Sequence, residues 1–164
     1  MPPTIRLFVT GGTFDKEYDE IHEALSFTDT HIVEVLKRGR SRVPCEVRTL
    51  MLLDSLHMTD ADRETIANQC ARASEDRIVI THGTGTMVET AKVIQQRVTG
   101  KTIVLTGAMI PYIFGSSDGL FNLGAALAFA QAQTPGVYIA MNGICFSADN
   151  VRKNTKTGYF EAHA

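Results

Sequence analysis

Arg77-Ile78-Val79-Ile80-Thr81-His82-Gly83-Thr84-Gly85-Thr86-Met87-Val88-Glu89 is the stretch whose reading decides the fold. Its Ile78-Val79-Ile80 run is apolar and β-branched without polar alternation, the pattern of a strand buried on both faces of a parallel sheet. The glycines then end the strand, and Thr86 with Glu89 three residues on reads as a capping box opening a helix to about Arg97. The unit recurs on either side. Ile5–Thr10 is a strand stopped by Gly11-Gly12-Thr13, and Thr102–Thr106 is a strand stopped by Gly107-Ala108-Met109.

Between and beyond these units the pattern is weaker. Residues 14–28 read as a loop, and Asp29 is expected to cap a helix carrying Ile32, Val33, Val35 and Leu36 that Gly39 ends. Cys45–Leu50 is a second strand, 60–73 a helix, 120–132 an apolar helix and Val137–Met141 a fifth strand. From about Ser147 the chain turns polar and irregular and is expected to fold over the strand ends. Strands alternating with helices through short links imply an α/β fold: a doubly wound, mostly parallel sheet with helices on both faces, a three-layer sandwich. The 164 residues are expected to form one domain over 1–164, without a carboxyl-terminal domain.

Bulk properties exclude several classes of function. A net charge of −2 gives no basic footprint for nucleic acid or anionic lipid. No apolar run approaches the roughly 20 residues that span a bilayer, and the amino terminus has no leader pattern, so a cytoplasmic location is expected. Cys45, Cys70 and Cys145 are odd in number and far apart, which suits reduced packing residues. No spacing suggests a metal site, and no cofactor is expected.

In a parallel sheet the carboxyl ends of the strands gather at one rim, where such folds bind ligands. The three Thr/Gly segments therefore converge on one crevice. Nucleotide binding fails as an explanation: Val88 stands where a dinucleotide fingerprint needs its third glycine. Gly100-Lys101-Thr102 echoes a phosphate loop, yet Gln95 replaces its first glycine and the triplet opens a strand. Hydroxyl nucleophiles beside glycine-exposed amides suit hydrolysis better, because amide donors stabilise an oxyanion. Lys153 and Tyr18 are the nearest candidate bases. On the alternative reading, Thr13, Thr84 and Thr106 only satisfy turn and cap hydrogen bonds. His82 reads as a core histidine, His57 has no partner, and Asp118 and Asn122 read as loop and helix-start residues.

Two of these segments, Thr10-Gly11-Gly12-Thr13 and Thr81-His82-Gly83-Thr84-Gly85-Thr86-Met87-Val88-Glu89-Thr90, closely resemble the signature segments of bacterial-type L-asparaginases. Thr106-Gly107-Ala108-Met109-Ile110-Pro111, Phe121-Asn122-Leu123, the strand running to Asn142 and Asp149-Asn150-Val151-Arg152-Lys153 follow in the family's order. The resemblance covers nearly all of the chain and only the family's amino-terminal domain. It implies hydrolysis of the side-chain amide of L-asparagine to L-aspartate and ammonia, without a cofactor, in a homodimer or homotetramer. Thr13 would be the nucleophile, Tyr18 an assisting loop tyrosine, and Thr84 with Lys153 the proton-handling pair. Ser55 would hold the α-carboxylate and the Ala108 carbonyl region would face the amide, with Gly12, Asp54, Gly83 and Gly85 completing the substrate-binding set.

Two positions depart from the family pattern. Gly85 stands where an aspartate grips the substrate ammonium and partners the lysine, and Leu56 replaces a residue that is often polar. Losing one member of a buried charge pair costs on the order of 2–5 kcal/mol, so the resemblance implies weakened activity. It leaves open a catalytically silent amino-acid-binding or assembly subunit, or a carboxamide substrate without an α-amino group.

Overall fold

The computed structural model describes residues 1–164. β1 (Ile5–Gly11), β4 (Cys45–Leu53), β5 (Arg77–Thr81), β6 (Thr102–Thr106) and β7 (Gly136–Met141) lie parallel in the order β4-β1-β5-β6-β7, and β8 (Ile144–Ser147) adds an antiparallel edge to β7. Alternate residues serve opposite faces, as the period of a strand requires. Phe8, Ile78, Ile80, Ile103, Leu105 and Ile139 pack into one core cluster. Leu7, Val9, Val79, Val104 and Ala140 pack into the other.

Helices cover both faces, giving the three-layer α/β sandwich. α2 (Asp60–Arg72) and α3 (Met87–Arg97) bury Ile66, Cys70, Met87, Ala91 and Ile94 against the first cluster. α1 (Ile32–Arg38) and α4 (Gly119–Ala132) bury Ile32, Val35, Leu123 and Leu127 against the second. The chain leaves β1 for β4 on one side and returns to β5 on the other. The order of connection thus reverses beside β1, and the turns after β1 and β5 open a crevice there.

Several local expectations are corrected. Residues 14–28 contain a hairpin, β2 (Glu17–Asp19) against β3 (Ala24–Ser26), whose three-residue strands have no buried face to betray them. Asp29 does not cap α1: His31 is the N-cap, and the buried carboxylate of Asp15 takes the His31 amide at 2.8 Å and the Thr30 hydroxyl at 3.0 Å. Thr86 does not form a capping box either, because its hydroxyl donates to the Ser55 carbonyl at 2.8 Å. The capping box of this chain is Thr59 with Asp62, at the start of α2. After β8 the polar tail forms a second hairpin, β9 (Arg152–Lys153) with β10 (Phe160–Glu161), anchored by buried Phe160.

Candidate active site

Two turns form the floor of the crevice. Gly12 has φ 77°, and a Cβ on it would lie 2.4 Å from the backbone nitrogen of Gly83. Only glycine lets the turns after β1 and β5 approach that closely. Their contact brings Thr13 and Thr84 to one cavity of about 220 Å³, which the Asp54-Ser55-Leu56 turn after β4, Met109 after β6 and Lys153 of β9 also wall. That volume falls below the ~300–1,000 Å³ of pockets for drug-sized ligands and suits a molecule of amino-acid size.

Thr84 is buried, and Lys153 Nζ donates to its Oγ1 at 2.8 Å. Burial pushes the Lys153 ammonium below its ordinary 10.5, toward the neutral amine that can take a proton. Thr13 is half-buried on the cavity wall, its hydroxyl engaged by no other group of the chain. The backbone amides of Thr13, Gly83, Thr84 and Gly85 also have no acceptor within the chain. Free amides around a cavity are ready donors for an anion or an oxyanion.

The frame is tied from several elements. Thr86 donates its hydroxyl to the Ser55 carbonyl and its amide to Ser55 Oγ at 3.2 Å, joining the β4 turn to the start of α3. Asp54 accepts from Lys16 Nζ and from the Leu56 amide at 2.9 Å, and the lysine holds its carboxyl below the usual aspartate range. Asp118 accepts from the amides of Met109 and Ile110, each at 3.0 Å, fixing the turn after β6. Buried Asn122 donates to the Gly107 carbonyl at 2.9 Å. His82 is fully buried and neutral, its pKa lowered to about 4 by desolvation; Nδ1 donates to the Gly83 carbonyl at 2.7 Å and Nε2 accepts from Thr90 at 2.8 Å. It props the turn from beneath.

Of the residues expected at the site, Gly12, Thr13, Asp54, Ser55, Gly83, Thr84, Gly85 and Lys153 meet at this cavity. Two do not. Ala108 is outside the cavity lining, its side chain in the core, and the next residue, Met109, lines the wall; the side chain's burial does not bear on the carbonyl expected to face the amide. Tyr18 sits on the exposed hairpin, opposite Leu25 and 53% exposed, outside the cavity lining. Thr10 and Thr106 are structural: each hydroxyl donates at 2.7 Å to a carbonyl of the neighbouring strand, Thr81 and Ala140 respectively. Lys16 and Met109 are the residues that sequence reasoning missed. Lys16 follows Thr13 by three positions, just after a one-turn helix, Thr13–Asp15, too short to leave a periodic signal. No group of three His, Cys, Asp or Glu side chains could hold a metal ion, and no helix is long and apolar enough to cross a membrane.

The family model described as asparaginase, N-terminal, matches residues 4–162. L-asparaginase 2 of Escherichia coli is 40% identical over 165 residues, covering 94% of this chain and 47% of the relative. A component of the glutamyl-tRNA(Gln) amidotransferase of Methanococcus maripaludis is 39% identical over 152 residues, covering 85% of this chain and 35% of the relative. The solved thermostable L-asparaginase from Thermococcus kodakarensis superposes with a TM-score of 0.84 at 28% identity, over 97% of this chain and 51% of that one. The chain thus spans about half, or less, of the length of these relatives.

Proposed function

The chain belongs to the asparaginase family through its amino-terminal domain, and we propose that it carries the nucleophile-bearing part of an amidohydrolase acting on a side-chain carboxamide such as that of L-asparagine. The observation that carries this reading is the Lys153–Thr84 contact at 2.8 Å in the same cavity as the free hydroxyl of Thr13. Thr13 Oγ attacks the carboxamide carbon while its proton is taken up by the Thr84–Lys153 pair. The free amides of the two turns receive the developing oxyanion. Collapse breaks the C–N bond, and the proton returns to the leaving nitrogen, which departs as ammonia. Water then hydrolyses the threonyl ester, releasing the acid and restoring the hydroxyl. Tyr18 stands outside the cavity, which supports a proton route through Thr84 and Lys153.

Gly85 supplies no carboxylate to the cavity, which supports slow turnover of an amino-acid amide. The proposed setting is the cytoplasm, where three free thiols stay reduced, and the proposed assembly is a homodimer or homotetramer whose neighbouring protomer closes the cavity. Ammonia release from L-asparagine by the purified protein and by Thr13→Ala tests the reading. A rate lost in the variant supports it, and equal rates overturn it.

The similarity to a component of an amidotransferase, together with Gly85, favours a second reading: a silent amino-acid-binding or assembly subunit. Calorimetry with L-aspartate separates the two. Binding without turnover of L-asparagine supports the second, and appreciable turnover removes it.

A further inference from the structure

Two ionisable side chains wall the cavity, Asp54 and Lys153. The Asp54 carboxylate is already occupied by Lys16 Nζ on one oxygen and the Leu56 amide on the other. With Lys16 counted, two amines face one carboxylate. α3 adds the positive end of its dipole just beyond Gly85, and the only acid in its first turn, Glu89, lies outside the cavity lining. The unengaged amides of Gly83, Thr84 and Gly85 are donors as well. Opposite them stands an apolar group: a Cβ on Gly85 would meet Leu56 Cδ2 at 2.8 Å, so the leucine fills the space a side chain there would use. An ammonium entering this cavity meets the Lys153 amine, N–H donors and a methyl group, and its one carboxylate, Asp54, is already paired with Lys16. A carboxylate meets the unengaged amides of the β5 turn and the Lys153 amine.

We infer that the preferred substrate is an anionic carboxamide without an α-ammonium, such as the monoamide of a dicarboxylic acid. This inference rests on the amidohydrolase reading and narrows its substrate class. Rejection of the ammonium follows from electrostatics: a charge without a free counter-ion in a desolvated site is disfavoured, so the site selects by an unpaired charge as much as by attraction.

Ammonia release is measured with succinamate and with L-asparagine, two amides that differ by the α-ammonium. The expected result is a kcat/KM about tenfold or more higher for succinamate, and a reversed order in the double variant Gly85→Asp/Leu56→Ala, which supplies a carboxylate and the space for it. Equal rates, or a preference for L-asparagine, overturn the inference while leaving the amidohydrolase reading intact. If neither amide is hydrolysed, that reading fails, and calorimetry with Thr13→Ala decides the inference alone. Tighter binding of succinamate supports it; equal, weaker or absent binding overturns it.

Discussion

An amine that loses solvation gives up its proton more readily, and Lys153 does so while touching the hydroxyl of Thr84. Its charged form cannot accept a proton and its neutral form can, so kcat/KM is expected to rise with pH through a midpoint below the ordinary lysine value of 10.5. Lys153→Arg is expected to remove that limb, since a guanidinium does not deprotonate in reach; a pH–rate profile of both proteins checks this. The single substitution Gly85→Asp places its Cβ 2.8 Å from Leu56 Cδ2, the far end of a side chain that is 72% exposed and free to move. It is expected to raise hydrolysis of L-asparagine about tenfold or more, equivalent to ~1.4 kcal/mol of transition-state binding. An unchanged rate would mean that no substrate ammonium comes near this position. Gly85 and Leu56 were both legible as departures in the sequence. That they touch was not, because 29 positions separate them and only the fold brings them together.

The elements that carry the site are those whose signals are local. β1, β5 and β6 announce themselves by apolar runs ended with glycine, and their turns supply most of the cavity. The capping signals were less informative, because a threonine three residues before an acid is ambiguous until its competitors are known. At Thr86 the Ser55 carbonyl wins the hydroxyl, whereas Thr59 faces solvent and keeps Asp62 as its partner. These two threonines give a paired prediction. Thr59→Ala is expected to cost about 1 kcal/mol of stability and leave the cavity unaffected. Thr86→Val is expected to cost a similar ~1 kcal/mol and also to lower kcat/KM, because it unties the Ser55 turn from α3. Denaturant melts and ammonia assays on the two variants distinguish the roles. The hairpins at 17–26 and 152–161 escaped notice because their strands are two or three residues long, below the length at which alternation is readable. The second of them sets the position of Lys153, opposite Phe160.

For the molecule as a whole, the parallel sheet with helices on both faces follows from the β-α-β alternation, whereas the strand order, and with it the reversal beside β1 that opens the crevice, comes from the fold. What the sequence could not show is how its charges pair across that crevice, since Lys16 and Asp54 are distant in the chain and belong to different turns. Buried His82 couples the site to overall stability. Its folded pKa of about 4 lies below the ordinary 6.5, so between those values the unfolded chain binds a proton that the folded chain does not. Its contribution is therefore complete above pH 6.5 and falls by up to ~3 kcal/mol as pH drops toward 4. Unfolding curves across that range should show the loss, and His82→Gln should flatten it. The central claim, that the Thr13 hydroxyl forms a bond to the substrate acyl group, is tested most directly by acid-quenching the protein during turnover of a carboxamide and mapping the adduct by peptide mass spectrometry. The account predicts an acyl group on Thr13 that is absent from Thr13→Ala; an adduct on Thr84 or another side chain would contradict it.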